Sequence, residues 1–168
     1  FFQVGQENYP SWTVAQRETI KLYHDNGARF AMTGHDIGWA MCDNNHSHSA
    51  YFTQADSLFC ERYLHFHYIA DIGGTFAQLR GMTNDPISGA YTGGVSYFPP
   101  RSGFAADSIR ISTYAGQLAG KDSVVWKGPD TSTPMDSCGV RWESTNDLGT
   151  SGVGVWGGQH TKVVTNCF

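Results

Sequence analysis

Five consecutive residues, Gly34-His35-Asp36-Ile37-Gly38, carry the densest reactive chemistry in this chain. Two glycines flank a carboxylate at the spacing of a nucleophile elbow, Gly-x-Nuc-x-Gly. There the small residues permit a crowded turn that lifts the central side chain clear of a sheet. A carboxylate so placed can attack carbon, giving an ester that water then cleaves. In that scheme Asp36 is the nucleophile, His35 orients or polarises the substrate, and a distant imidazole such as His160 supplies the base.

A second constellation lies close by. Asp43, His46 and His48 fall in one loop, and the His-x-His spacing with a nearby carboxylate could hold a metal ion. The plainer alternative is a set of solvated loop histidines, and no cofactor is implied anywhere in the sequence. On a predicted helix, His65 and His67 sit about 200° apart, so they cannot face one ion. An imidazolium there would instead favour the helix's C-terminal end. With Asp36, the carboxylates nearest predicted sheet ends are Asp71 and Asp85, and a pair of them could hydrolyse a glycoside. The favoured reading is turn formation, since Asp85-Pro86 is a turn dipeptide and Asp36 can cap amides of its own loop. Trp39, Trp126, Trp142 and Trp156 could stack on sugar rings if exposed. Their strand-forming neighbours Val124, Val125, Val140 and Val155 favour a place in the core.

Four cysteines, Cys42, Cys60, Cys138 and Cys167, include no Cys-x-x-Cys pair, which excludes a zinc ribbon or thioredoxin-type motif. Their even number and only four lysines suit an oxidising compartment. Of the three possible pairings, Cys42–Cys60 with Cys138–Cys167 is favoured because each joins neighbours within one half of the chain; four buried thiols are the alternative. Asn45-His46-Ser47 is a glycosylation sequon. The start, Phe1-Phe2-Gln3, has no Met and no charged leader, which reads as a processed product of an exported precursor.

The elements that must position these residues are legible in outline. At 168 residues the chain makes one domain, 1–168. A net charge of −4 with 11 Lys+Arg argues against a nucleic-acid partner. No apolar run approaches the roughly 20 residues of a membrane span. Residues 1–6 read as a strand. A helix then opens at Pro10-Ser11, with Trp12, Ala15, Thr19, Leu22 and Tyr23 on its core face, Thr13 and Gln16 as a capping box, and Asn26-Gly27 at its end. Residues 28–33 form the next strand, so the opening is β-α-β, the mark of a parallel sheet. After the 34–49 loop a helix is predicted over 50–68, with Phe52, Ala55, Phe59, Tyr63 and Phe66 as its core stripe. Beyond Asp71 short segments take over, with candidate strands at 76–81, 108–113, 123–127, 139–143, 152–156 and 162–167.

Gly-His-Asp-x-Gly resembles the elbow of epoxide hydrolases in the α/β-hydrolase family, over five residues only. The next segment, Cys42-Asp43-Asn44-Asn45, does not favour the long helix of a true elbow. A wider resemblance is carried by Arg29-Phe-Ala-Met-Thr-Gly-His-Asp-Ile-Gly-Trp39, by Tyr63-Leu-His-Phe-His-Tyr68, by Asp85-Pro-Ile87, by Cys138-Gly-Val-Arg-Trp-Glu143 and by Gly154-Val-Trp-Gly-Gly158. In these blocks the chain is similar to the class I glutamine amidotransferase-like domains of secreted bacterial proteins. The resemblance implies a three-layer, flavodoxin-like α/β fold, with a mostly parallel sheet, helices on both faces and an irregular strand-rich C-terminal half. Catalytic members place a cysteine at the elbow, where this chain has Asp36, so no thiolate is in position for glutaminase chemistry. The family also has a first β-α unit before the strand at residue 1. Its absence leaves a sheet edge that a second copy or another chain must cover. The resulting expectation is a secreted, non-catalytic binding or self-assembly module. A hydrolase using Asp36, His35 and His160 and a carbohydrate-binding module are the alternatives.

Overall fold

The computed structural model describes residues 2–4, 12–34, 37–43, 53–71, 78–96, 107–114, 120–127, 137–144 and 162–166. The β-α-β opening forms as its spacing requires. β1 (Phe2–Val4) and β2 (Arg29–Gly34) pair in parallel, with Phe2 opposite Met32, and α1 (Val14–Asp25) lies between them in the chain. Thr13 caps α1. Its hydroxyl accepts from the Gln16 amide, and the Gln16 side chain accepts from the Thr13 amide at 2.8 Å. At the other end Gly27 takes φ 76°, the left-handed turn that suits glycine.

The buried face of α1 is not the one apolar periodicity selects. Arg17, Ile20 and His24 are buried, whereas Leu22 and Tyr23 are 64% and 57% exposed and Ala15 and Thr19 also face outward. Trp12, just ahead of the helix, is buried as expected. The inversion has a cause in partners. Arg17 forms an ion pair with the buried Asp56, and His24 stacks on Trp142 with ring centroids 5.1 Å apart. A polar side chain enters a core when its charge or ring is matched there.

Parallel pairing continues for one more strand and then stops. β9 (Lys162–Asn166) lies parallel to β2, with Met32 opposite Thr165. From β9 the sheet proceeds through β8 (Ser137–Ser144), β7 (Gly120–Lys127), β4 (Gln78–Gly81) and β5 (Val95–Ser96), every pairing antiparallel. β6 (Asp107–Ile111) joins β8 through Ile109 and Ser137 and pairs antiparallel with β3 (Phe66–Asp71). The expected flavodoxin-like, mostly parallel three-layer sheet is therefore overturned. Parallel neighbours need a crossover of a dozen or more residues, usually a helix. Among the described residues beyond Leu64, only the short 3₁₀ turn Gly89–Tyr91 is helical. Strands without helical crossovers pair antiparallel.

The long helix predicted over 50–68 is also corrected. α3 covers Gln54–Phe59, a π-helical turn continues over Cys60–Leu64, and His65 reverses the chain at φ 61° into β3. Of the predicted stripe, Ala55 is exposed, Phe59 is buried on α3 and Phe66 is buried on a strand. Phe66 and Tyr68 prefer a sheet once Ile111 and Ile109 are offered opposite them. The core gathers Trp12, Ile20, Met32, Phe59, Leu64, Phe66 and Trp142 from both halves of the chain. Each large apolar side chain so buried contributes about 1.5–3 kcal/mol.

Candidate functional site

β2 ends at Gly34 and α2 (Ile37–Cys42) begins three residues later, so the Gly34–Gly38 motif bridges a strand and a helix. The loop expected over 34–49 is thus corrected over Ile37–Cys42, while the six-residue α2 stays short of the long helix of a true elbow. Its first turn rests on Asp107, the fully buried opening residue of β6. Asp107 accepts the Gly38 amide at 2.6 Å and the Trp39 amide at 3.3 Å. Any Cβ on residue 38 would stand 2.8 Å from Tyr68 Cδ2 and 3.0 Å from Asp107 Oδ2, so a larger residue would force these side chains to shift. In an acyl-transfer elbow, backbone amides at the helix start face the developing oxyanion. Here Gly38 and Trp39 give theirs to a carboxylate of the protein.

The π-helical turn carries a second polar assembly. Glu61 accepts from the Ser112 hydroxyl with one carboxylate oxygen and contacts His67 Nδ1 with the other. Ser112 in turn accepts the Tyr114 amide at 3.1 Å and donates its own amide to the His65 carbonyl at 3.1 Å. In a nucleophile-activating relay the imidazole sits between hydroxyl and carboxylate. Here the carboxylate sits between, so His67 does not receive the Ser112 proton. Ser112 is also only 2% exposed. The assembly ties the π-helical turn to β3 and to the end of β6.

A third assembly surrounds Asp85. One carboxylate oxygen accepts the Ile87 and Ser88 amides at 2.9 and 3.0 Å, and the other accepts Arg141 Nε at 2.7 Å. Ser88 donates its hydroxyl to the Val125 carbonyl at 2.6 Å and accepts the Met82 amide at 3.0 Å. The turn is thereby clamped to β7 and β8. Burial alone would raise the Asp85 carboxyl. The Arg141 hydrogen bond, the two amides and the arginine's charge outweigh it and hold the group below its ordinary value. At Gly81 a Cβ would fall 1.9 Å from the Ser88 carbonyl oxygen, so the clamp also needs that glycine.

Close by β8 lies a stack of rings. His65 and Trp142 are 4.0 Å apart and nearly parallel, His24 lies 5.1 Å from Trp142, and Tyr63 meets His24 edge-on at 5.1 Å. Trp142 contributes its ring face, for its Nε1 has no hydrogen-bond partner among the described residues. Burial chiefly pushes His24 below the ordinary imidazole value. The charge of Arg62 adds to that, and Asp25 opposes it.

Of the residues singled out in the sequence, His35, Asp36, His46, His48, His160, Cys167 and Trp156 lie outside the described residues, as do the sequon at Asn45 and the strand expected at 152–156. Asp43 comes after α2, half-buried, and donates its amide to the Trp39 carbonyl at 3.3 Å. Among the described residues no group of three or more His, Cys, Asp or Glu side chains is placed to hold a metal. The expected Cys42–Cys60 bridge is not formed. Cys42 is a half-buried free thiol at the end of α2, while Cys60 sits in the core on the π-helical turn. Cys138 is buried. His65 and His67 do not share a helix: one caps the π-helical turn and the other is on β3. No described helix is long and apolar enough to cross a membrane.

Glu61, Asp107, Ser112 and Arg141 were not legible as site residues. Each meets a partner 51 to 69 positions away, and only Arg141 falls in one of the blocks quoted above. The one available signal was the alternation Ser108-Ile109-Arg110-Ile111-Ser112, which puts Ser108 and Ser112 on one face of a strand. No family model, no curated protein and no solved structure matches this chain.

Proposed function

We propose that this chain is a secreted, non-catalytic module that binds a partner or assembles with copies of itself. The single observation behind the reading is the inverted α1. Its polar residues Arg17 and His24 are spent inward, which leaves Val14, Leu22 and Tyr23 on the surface, each more than half exposed. A helix that turns its apolar residues outward offers surface that a partner can cover. The carboxylates of the described polar assemblies support the non-catalytic part, since Asp107, Asp85 and Glu61 are engaged with amides, an arginine, a hydroxyl and an imidazole of the protein itself. β1 and β5, at the two ends of the strand path, offer further places for a second chain to pair. Placement outside the cell rests on the even cysteine number and the scarcity of lysine. Kinship with secreted amidotransferase-like domains belongs to the same proposal. It rests on the motif blocks around Gly34–Trp39 and Asp85–Ile87, without the topology they implied.

Multi-angle light scattering over a wide concentration range tests the reading. The expected result is concentration-dependent association that Leu22→Glu with Tyr23→Glu abolishes while the thermal midpoint stays unchanged. A monomer at every concentration, together with no retained partner on an immobilised column, would sink it. A carbohydrate-binding alternative is favoured by one observation, the tilted Tyr91–Trp126 pair with centroids 5.8 Å apart and Tyr91 half exposed. Saturable glycan binding lost in Tyr91→Ala, with association unaffected by the α1 substitutions, would favour that alternative.

A further inference from the structure

Three separate elements meet at His24, Trp142 and His65: α1, β8 and the end of the π-helical turn. All three side chains are essentially excluded from water. The two imidazoles lie 5.8 Å apart, close to parallel, and both stack on the indole. His65 holds a left-handed backbone, which is uncommon for a residue other than glycine, and it comes directly after a π-helical turn. Both features are found preferentially where a protein switches or works.

We propose that this stack is an acid-sensitive latch, in which a proton taken up by His24 releases α1 from the sheet. The step is a simple protonation: a ring nitrogen of neutral His24 gains H⁺ from solvent and the residue becomes an imidazolium. The latch is independent of the proposed assembly through the outer face of α1.

The charges around the stack oppose that cation. From the π-helical turn, the Arg62 guanidinium lies 5.3 Å from the centre of the Tyr63 ring that abuts His24. From α1 itself, Lys21 lies 5.7 Å from the same ring, and its partner Glu18 is held in an exposed ion pair. Among the described residues, Asp25 places Oδ1 3.5 Å from His24 Nδ1, and its side chain is 53% exposed, so its help is screened. From α3, Asp56 is committed to Arg17; on the π-helical turn, Glu61 is committed to Ser112 and His67; on β8, Arg141 is committed to Asp85. His65 lies 5.8 Å from His24, so a second imidazolium there would repel the first. Opening lets the charged ring reach water. Among the described residues α1 is held by Trp12, Arg17, Ile20 and His24, so loss of one anchor weakens a short list.

Amide hydrogen exchange on the whole chain from pH 7.5 to 5, corrected for intrinsic rates, tests the latch. The expected result is that protection of Ile20 to Asp25 falls about tenfold per pH unit below the free-imidazole value, while Val124 and Val140 keep theirs. His24→Phe, which preserves a ring on Trp142 without a titrating group, should flatten the response of α1. Protection that is constant with pH, that falls in step with β7 and β8, or that still falls in His24→Phe overturns the proposal. Should that variant fail to fold, the His24 Cε1 proton resonance of the unaltered chain decides. A midpoint below 6.5 that tracks the loss of protection supports the latch, and one that does not track it overturns it.

Discussion

Neighbouring residues on β8 serve two buried settings of different chemistry. Arg141 reaches Asp85 and secures a charged clamp, whereas Trp142, next in the chain, stacks with two buried imidazoles. Alternation along a strand sends them to opposite faces of the sheet. In the clamp an ionised carboxylate is surrounded by donors that match its charge, so ionisation and folding support each other. In the stack, burial favours the uncharged form of His24. Both groups lose stability for the fold as pH drops, but in separate windows. The Asp85 carboxyl is lowered, so its contribution is whole above the ordinary 3.8 and disappears as pH falls through the folded value. His24 is lowered too, but from 6.5, so its contribution is whole above that value and fades through mild acid.

Removing the clamp is the strongest way to break the contrast. Asp85→Ala strips acceptors from two amides and leaves Arg141 without its carboxylate, and about 3 kcal/mol of unfolding free energy should be lost in a urea titration at neutral pH. The same variant should lack the low-pH limb of the stability curve and keep the limb that begins near 6.5. An unchanged low-pH limb would assign it to other carboxylates. Gly38→Ala tests whether the α2 side is as rigid as the clamp. The added methyl presses on Tyr68 and Asp107, and the expected cost is about 2 kcal/mol, read from the same titration. A cost near zero would mean that α2 slides on β3. The smallest effect belongs to the helix that the stack retains. Thr13→Ala removes one half of the capping box and should cost about 1 kcal/mol, with the loss of hydrogen-exchange protection concentrated in the first turn of α1.

Local chemistry on this chain was readable before any tertiary structure was known. The capping box at Thr13 and Gln16, the left-handed glycine at 27, the β-α-β opening and five of the later strands stem from short-range preferences, because a cap, a turn or a pleat is decided by residues within a few positions of one another. The split of the 50–68 segment was not readable, since Phe66, His67 and Tyr68 continue a helical spacing as well as they fill a strand. The offer of Ile109 and Ile111, more than forty positions on, settled it for the sheet. The inward face of α1 was hidden for a related reason. Apolar periodicity ranks Leu22 above His24, and it reverses only when Trp142 and Asp56 are placed against the helix to receive an imidazole and a guanidinium. The direction of the sheet belongs to the same class. Apart from β3 and β5, the described strands were visible by their own residues, but parallel or antiparallel pairing is a property of which strands meet. That depends on crossovers and long-range burial, about which a strand's own sequence says nothing.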